Sequence, residues 1–161
     1  MRVLFVCLGN ICRSPTAEGV LRHKLREAGL AELIEVDSAG TGHWHVGKAP
    51  DTRSQRAARL RGYDLSAQRA RQVGSADFNR FDLILAMDQS NLRNLKLLQP
   101  AQGKAELDLF LRRYDGVVDE VPDPYYDEEH GFEQVLDLIE QACDRLVNDS
   151  RVAMSLQPQA D

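Results

Sequence analysis

The chain has 161 residues, of which 43% are hydrophobic and 28% charged, with a formal net charge of -5. That length suits one domain around one core, and the net negative charge argues against a nucleic-acid partner. No run is apolar enough for a membrane span, and the opening apolar stretch is too short for a secretion signal. Three cysteines do not suit a secreted disulfide framework. The expectation is a cytoplasmic chain with no membrane partner: one domain over 1–150 and a flexible polar tail over 151–161.

Residues 2–6, Arg-Val-Leu-Phe-Val, form an apolar run suited to a buried parallel strand. From Pro15 to about Ala28 a helical pattern follows, with Ala17, Val20, Leu21, Leu25 and Ala28 at spacings of three and four. Pro15 suits a first helical position, and Gly29 offers a stop. Leu33 to Val36 reads as a second strand, and residues 37–50 as a loop leading to a helix over about 51–61. The run from Phe81 to Met87 is a third strand, and Asp88 to Asn91 resembles a helix N-terminus. Residues 105–109 alternate apolar and acidic, which predicts a fourth strand near an edge. A last helix over about 132–147 places Phe132, Val135, Leu136, Ile139, Ala142, Cys143 and Leu146 on one face. Strands alternating with helices predict an α/β fold with a parallel sheet covered on both faces. Ligands then bind beyond the carboxyl ends of the strands, where Cys7 lies.

The segment Cys7-Leu8-Gly9-Asn10-Ile11-Cys12-Arg13-Ser14 is a C-x5-R-S pattern between a strand and a helix. Five intervening residues let backbone N–H groups of the loop turn inward as an anion nest, with the next helix adding its positive end. Gly9 and Asn10 are residue types that tolerate left-handed backbone angles. Arg13 brings a planar fork able to pair two phosphoryl oxygens. The same field favours the thiolate of Cys7, a nucleophile aimed at phosphorus. Ser14 can donate its hydroxyl to that thiolate.

Residues 3–18 resemble the signature of the low-molecular-weight protein tyrosine phosphatases. Similar stretches follow in the family's order: Asp37 to Thr41, Trp44 to Gly47, Met87 to Asn91, and Asp123-Pro124-Tyr125-Tyr126. The resemblance implies a four-stranded parallel sheet of flavodoxin-like winding and hydrolysis of phosphotyrosine through a phosphocysteine. It implies no cofactor and no metal. The catalytic residues would be Cys7, Arg13 and Asp123. Leu8, Gly9, Asn10, Ile11, Cys12 and Ser14 would form the phosphate-binding loop. Trp44, Tyr125 and Tyr126 would be aromatic rims of the pocket. Cys12 is either a small buried residue or, as in the family, the redox partner that traps oxidised Cys7 as a disulfide.

Asp123 lies between Pro122 and Pro124, which restrict the directions its carboxyl can take. A carboxyl facing Cys7 could protonate a departing phenolate. Partners implied are phosphotyrosine-containing proteins, with a tyrosine kinase acting on Tyr125 or Tyr126 as a further one. The chain would be a monomer or weakly self-associating. One departure stands out: Gln68 occupies the place of a family His that bonds the loop Asn, and its amide could bond Asn10 instead. His43 and His45 are isolated and read as loop residues, not zinc ligands. The arginines at 53, 56, 59, 61, 69 and 71 read as a solvated helix face or as a docking surface for acidic phosphopeptides. An arsenate reductase of the same fold would need two more cysteines in mid-chain, and residues 13–142 hold none. A non-catalytic phospho-binding or redox-sensing module would need neither nucleophile nor acid.

Overall fold

The computed structural model describes residues 1–126 and 129–155. Four strands, β1 (Arg2–Cys7), β2 (Glu35–Gly40), β3 (Leu83–Ala86) and β4 (Glu106–Leu109), form one parallel sheet in the order β2-β1-β3-β4. This is the expected flavodoxin-like winding, with β4 at an edge. The helices are α1 (Arg13–Glu27), α2 (Thr52–Leu60), α3 (Asp77–Arg80), α4 (Gln89–Leu98), α5 (Phe110–Arg113) and α6 (Glu129–Ser155). Among the described residues, no helix is long and apolar enough to cross a membrane.

The side-chain period of two sorts β1 into two core layers. Val3, Phe5 and Cys7 join the layer of α1, α2, α5 and α6, while Leu4 and Val6 face α3 and α4. β3 divides likewise, Leu83 and Leu85 against Ile84 and Ala86. Burial on both faces explains why these two strands read as unbroken apolar runs.

Several boundaries differ from expectation. β2 lies later than residues 33–36, because its last four residues, Asp37-Ser38-Ala39-Gly40, are small or polar and read as a loop. Helix α1 begins at Arg13, so Pro15 is its third residue, still within the first turn where a missing N–H costs nothing. It ends before Gly29, whose φ of 73° supplies the left-handed stop. The short helices α3 and α5 carry too few residues to show a period. Helix α6 runs to Ser155, past the expected boundary at 150, and Met154 packs against the core. The rest of that tail, 156–161, lies outside the described residues.

The arginine stretch divides: Arg56, Arg59 and Arg69 are exposed, as the solvated-face reading expects, while Arg53, Arg61 and Arg71 are drawn into ion pairs. Arg61 pairs with Glu133, Asp137 and Glu140 of α6. Arg71 pairs with Asp37 and Asp77, and Arg53 with Asp51. Arg61 and Arg71 thereby join elements distant in sequence, while the Arg53 pair is local to the start of α2.

Candidate active site

The segment between β1 and α1 turns back on itself, and its outer side is fastened by backbone donors from three directions. Thr41 N donates to Cys7 O and Gly42 N to Leu8 O, each at 2.9 Å. Asp51 N donates to Ile11 O at 2.8 Å, and Thr16 meets Cys12 O through its N–H at 3.3 Å and its Oγ1 at 2.7 Å. With these carbonyls engaged outside, the loop is free to turn amide N–H groups inward, and Asn10 N does so, donating to Cys7 Sγ at 3.3 Å. An inward ring of amides at a helix N-terminus is an anion cradle.

Asn10 carries the left-handed conformation, with φ of 57°. Gly9 does not, contrary to expectation: its lack of a side chain matters because a Cβ would fall 2.9 Å from His45 Cδ2. At Gly40, a Cβ would fall 2.7 Å from Leu8 O, so the end of β2 can approach the loop only as glycine.

Behind the cradle a buried polar chain fixes the thiol. Ser14 Oγ lies 3.0 Å from Cys7 Sγ and accepts from Asn10 Nδ2 at 2.8 Å. Asn10 Nδ2 also donates to Ser38 Oγ at 3.0 Å, and Ser38 Oγ donates to Glu18 Oε1 at 2.7 Å. Burial raises the Glu18 carboxyl above its usual range, against the lowering effect of Ser38 and Arg22. The expected Gln68–Asn10 bond is not formed. Gln68 Nε2 donates to Pro15 O at 2.9 Å, and Asn10 Oδ1 accepts from Arg71 N at 3.0 Å instead. Backbone has taken the place offered to the side chain.

Arg13 is 3% exposed, and its fork is held by Asp88 Oδ2 at 2.7 Å and Val121 O at 3.0 Å. Burial alone would weaken its charge, but the negative field of Cys7 and Asp88 outweighs that and keeps it cationic. Asp123 Oδ2 lies 3.7 Å from Arg13 Nη2, and Asp123 Oδ1 accepts from Tyr125 N at 3.1 Å. Burial pushes the Cys12 thiol up to about 12, with a hydrogen bond to Ser54 acting the other way. Cys143 is wholly buried in the core.

Cys7, Leu8, Gly9, Ile11, Cys12, Arg13, Trp44, Asp123, Tyr125 and Tyr126 gather around one cavity of about 300 Å³. Asn10 and Ser14 lie behind its floor. Two residues were missed as parts of this site. His45 lines the cavity beside Tyr125, their ring centroids 6.2 Å apart. Asp88 signalled only a helix cap in the sequence. A larger cavity, about 830 Å³, opens at the other end of the strands near Met1, Asp82 and Glu106. It has no thiol, and its Arg113 is committed to Glu106 and Asp108, so the chemistry belongs to the smaller cavity. Among the described residues, no three His, Cys, Asp or Glu side chains group as a metal site.

A thiol at the floor of an amide cradle on this winding, without the mid-chain cysteines of an arsenate reductase, defines a cysteine-dependent phosphatase. The family model for low molecular weight phosphotyrosine protein phosphatase matches residues 2–157. A low molecular weight protein-tyrosine-phosphatase of Streptomyces coelicolor is 45% identical over 150 residues, 91% of each chain. A low molecular weight phosphotyrosine protein phosphatase of Schizosaccharomyces pombe is 46% identical over 134 residues, 82% of this chain and 85% of that one. The crystal structure of an Entamoeba histolytica protein tyrosine phosphatase with Hepes in its active site superposes with a TM-score of 0.89 at 40% identity, covering 96% and 99% of the two chains. The chain belongs to the low molecular weight phosphotyrosine protein phosphatase family.

Proposed function

We propose that the protein hydrolyses phosphotyrosine in phosphoproteins by two displacements at phosphorus, with Cys7, Arg13 and Asp123 as the reacting set. The Cys7 thiolate attacks, the S–P bond forms as the P–O bond to the aryl group breaks, and Asp123 gives its proton to the departing phenolate. Arg13 and the loop amides take the charge spread over the equatorial phosphoryl oxygens. A water then gives its proton to the Asp123 carboxylate and attacks phosphorus. The S–P bond breaks, phosphate leaves, and both groups return to their starting forms.

The observation that carries this reading is the convergence on one cavity of a thiol and a buried guanidinium from the two ends of the loop and a carboxyl from a distant segment. Trp44, Tyr125 and Tyr126 wall the same cavity and favour a flat aryl ester over an alkyl one. Tyr126 is 93% exposed, so a tyrosine kinase could reach it. Cys12 lines the same cavity as Cys7, which supports its reading as the thiol that captures oxidised Cys7. A cytoplasmic location suits three free thiols.

Replacing Cys7 tests the reading. Cys7→Ser should abolish turnover of a chromogenic aryl phosphate while phosphate still binds, because a serine hydroxyl does not ionise in this field. Retention of a tenth of wild-type activity would remove Cys7 as the nucleophile.

A further inference from the structure

We infer that the groove on the far side of Trp44, ending at the last turn of α4, is a subsite for an apolar side chain that neighbours the phosphotyrosine of a protein substrate. This rests on the phosphatase reading above. The groove encloses about 300 Å³, enough for a leucine or phenylalanine side chain, and Leu8 and Trp44 line both it and the catalytic cavity. The two spaces therefore adjoin across the indole and the loop. Its remaining walls are Thr41, Gly42, Asn94, Leu97 and Leu98. No charged side chain lines it, in a chain where 28% of residues are charged.

The apolar surface here is contiguous and has no structural task. Helix α4 buries Leu92 and Leu95, which satisfy its core face. Leu97 is 84% exposed and Leu98 48%, on the side where a polar residue would cost the fold nothing. Trp44 at 62% and Leu8 at 41% extend the same patch to the catalytic loop. Single exposed leucines are ordinary, but four large apolar groups around one groove beside a reaction centre mark a binding surface.

The wall between the two spaces is fixed in place. Thr41 and Gly42 are tied to the loop by the backbone bonds to Cys7 O and Leu8 O. A Cβ on Gly42 would fall 1.9 Å from the Trp44 ring, so the indole lies directly on this turn. It also stacks on His43 at 5.5 Å. A phosphotyrosine seated over Cys7 places its own backbone at the cavity mouth. Extended chain advances roughly 3.3–3.6 Å per residue, so a side chain one to three residues away can enter the groove. The Asn94 amide can hydrogen-bond that peptide's backbone.

The test compares kcat/KM for phosphotyrosine peptides that carry leucine or serine at each position flanking the phosphotyrosine. A chromogenic aryl phosphate, which has no flanking residues, serves as reference. Wild type should favour leucine over serine at one flanking position by about tenfold, the factor a partly buried leucine supplies. The double substitution Leu97→Ser with Leu98→Ser should reduce that preference to about twofold and leave the aryl phosphate rate unchanged. Equal rates on all peptides by an active wild type, or a preference that survives the double substitution, would overturn the subsite alone. If the double variant instead lost self-association on size exclusion while keeping its peptide preference, the groove would belong to a second copy and the inference would fall. A wild type inert on every substrate would overturn the phosphatase reading and the subsite with it.

Discussion

Asp88 divides its carboxylate between two tasks. Oδ1 accepts from Asn91 N and caps α4, while Oδ2 holds the Arg13 fork. One side chain thus orients the Arg13 guanidinium at the cavity from the end of a helix. Asp123 is held more loosely. It is 45% exposed on the side chain and stands 3.7 Å from the same guanidinium, a position from which its proton can reach a leaving oxygen at the cavity mouth. A general acid matters most when the departing oxygen is basic, and such groups contribute about 10²–10⁴-fold. Asp123→Ala should therefore lose far more rate on phenyl phosphate or phosphotyrosine than on an aryl ester with strong electron withdrawal. The measurement is kcat/KM across aryl phosphates of graded leaving-group basicity, which reports the first displacement. A line parallel to wild type would move the proton donor to Asp119, Glu120 or Asp127, the last of which lies outside the described residues.

Elements hold the site through their ends. Helix α2 begins on Asp51, whose side chain accepts from Arg53 N at 2.8 Å and whose own N–H reaches Ile11 O in the loop. Burial would raise the Asp51 carboxyl, but hydrogen bonds from Arg53 outweigh it and hold it below the usual carboxylate range. A lowered acid stabilises the fold above its unfolded value, roughly pH 4, and loses that contribution as pH falls through the folded value. Asp51→Ala should cost about 1 kcal/mol at pH 7 by urea unfolding, and the gap to wild type should close in acid. A gap that widens on acidification would count against this account. Legibility in the sequence followed the same division. β1, β3, α1 and the C-x5-R-S loop could be read directly because their residues face one environment or two apolar ones. The second half of β2 could not. Ser38 is buried there by partners from α1 and the loop, Glu18 and Asn10, and nothing in the local sequence announces them. Asp88 and His45 were hidden for the same reason, since their roles depend on what the fold brings opposite them.

At the scale of the whole molecule, the fold sets cavity and core thiols in different surroundings. Cys7 and Cys12 line the cavity, while Cys143 lies at 0% exposure between α6 and the rest of the core. Mild peroxide should inactivate the enzyme reversibly, and peptide mapping should find Cys7 joined to Cys12 with Cys143 still a free thiol. Cys12 left free in the inactivated, reducible protein would discard it as the partner of Cys7. The burial of Cys143 also gives the molecule an internal clock. An alkylating reagent in native buffer meets Cys7 through the mouth of the cavity, but it meets Cys143 only in molecules whose core has opened. The ratio of label at residue 143 to label at residue 7 would therefore separate damage to the active site from loss of the fold, in a single sample and without any added probe.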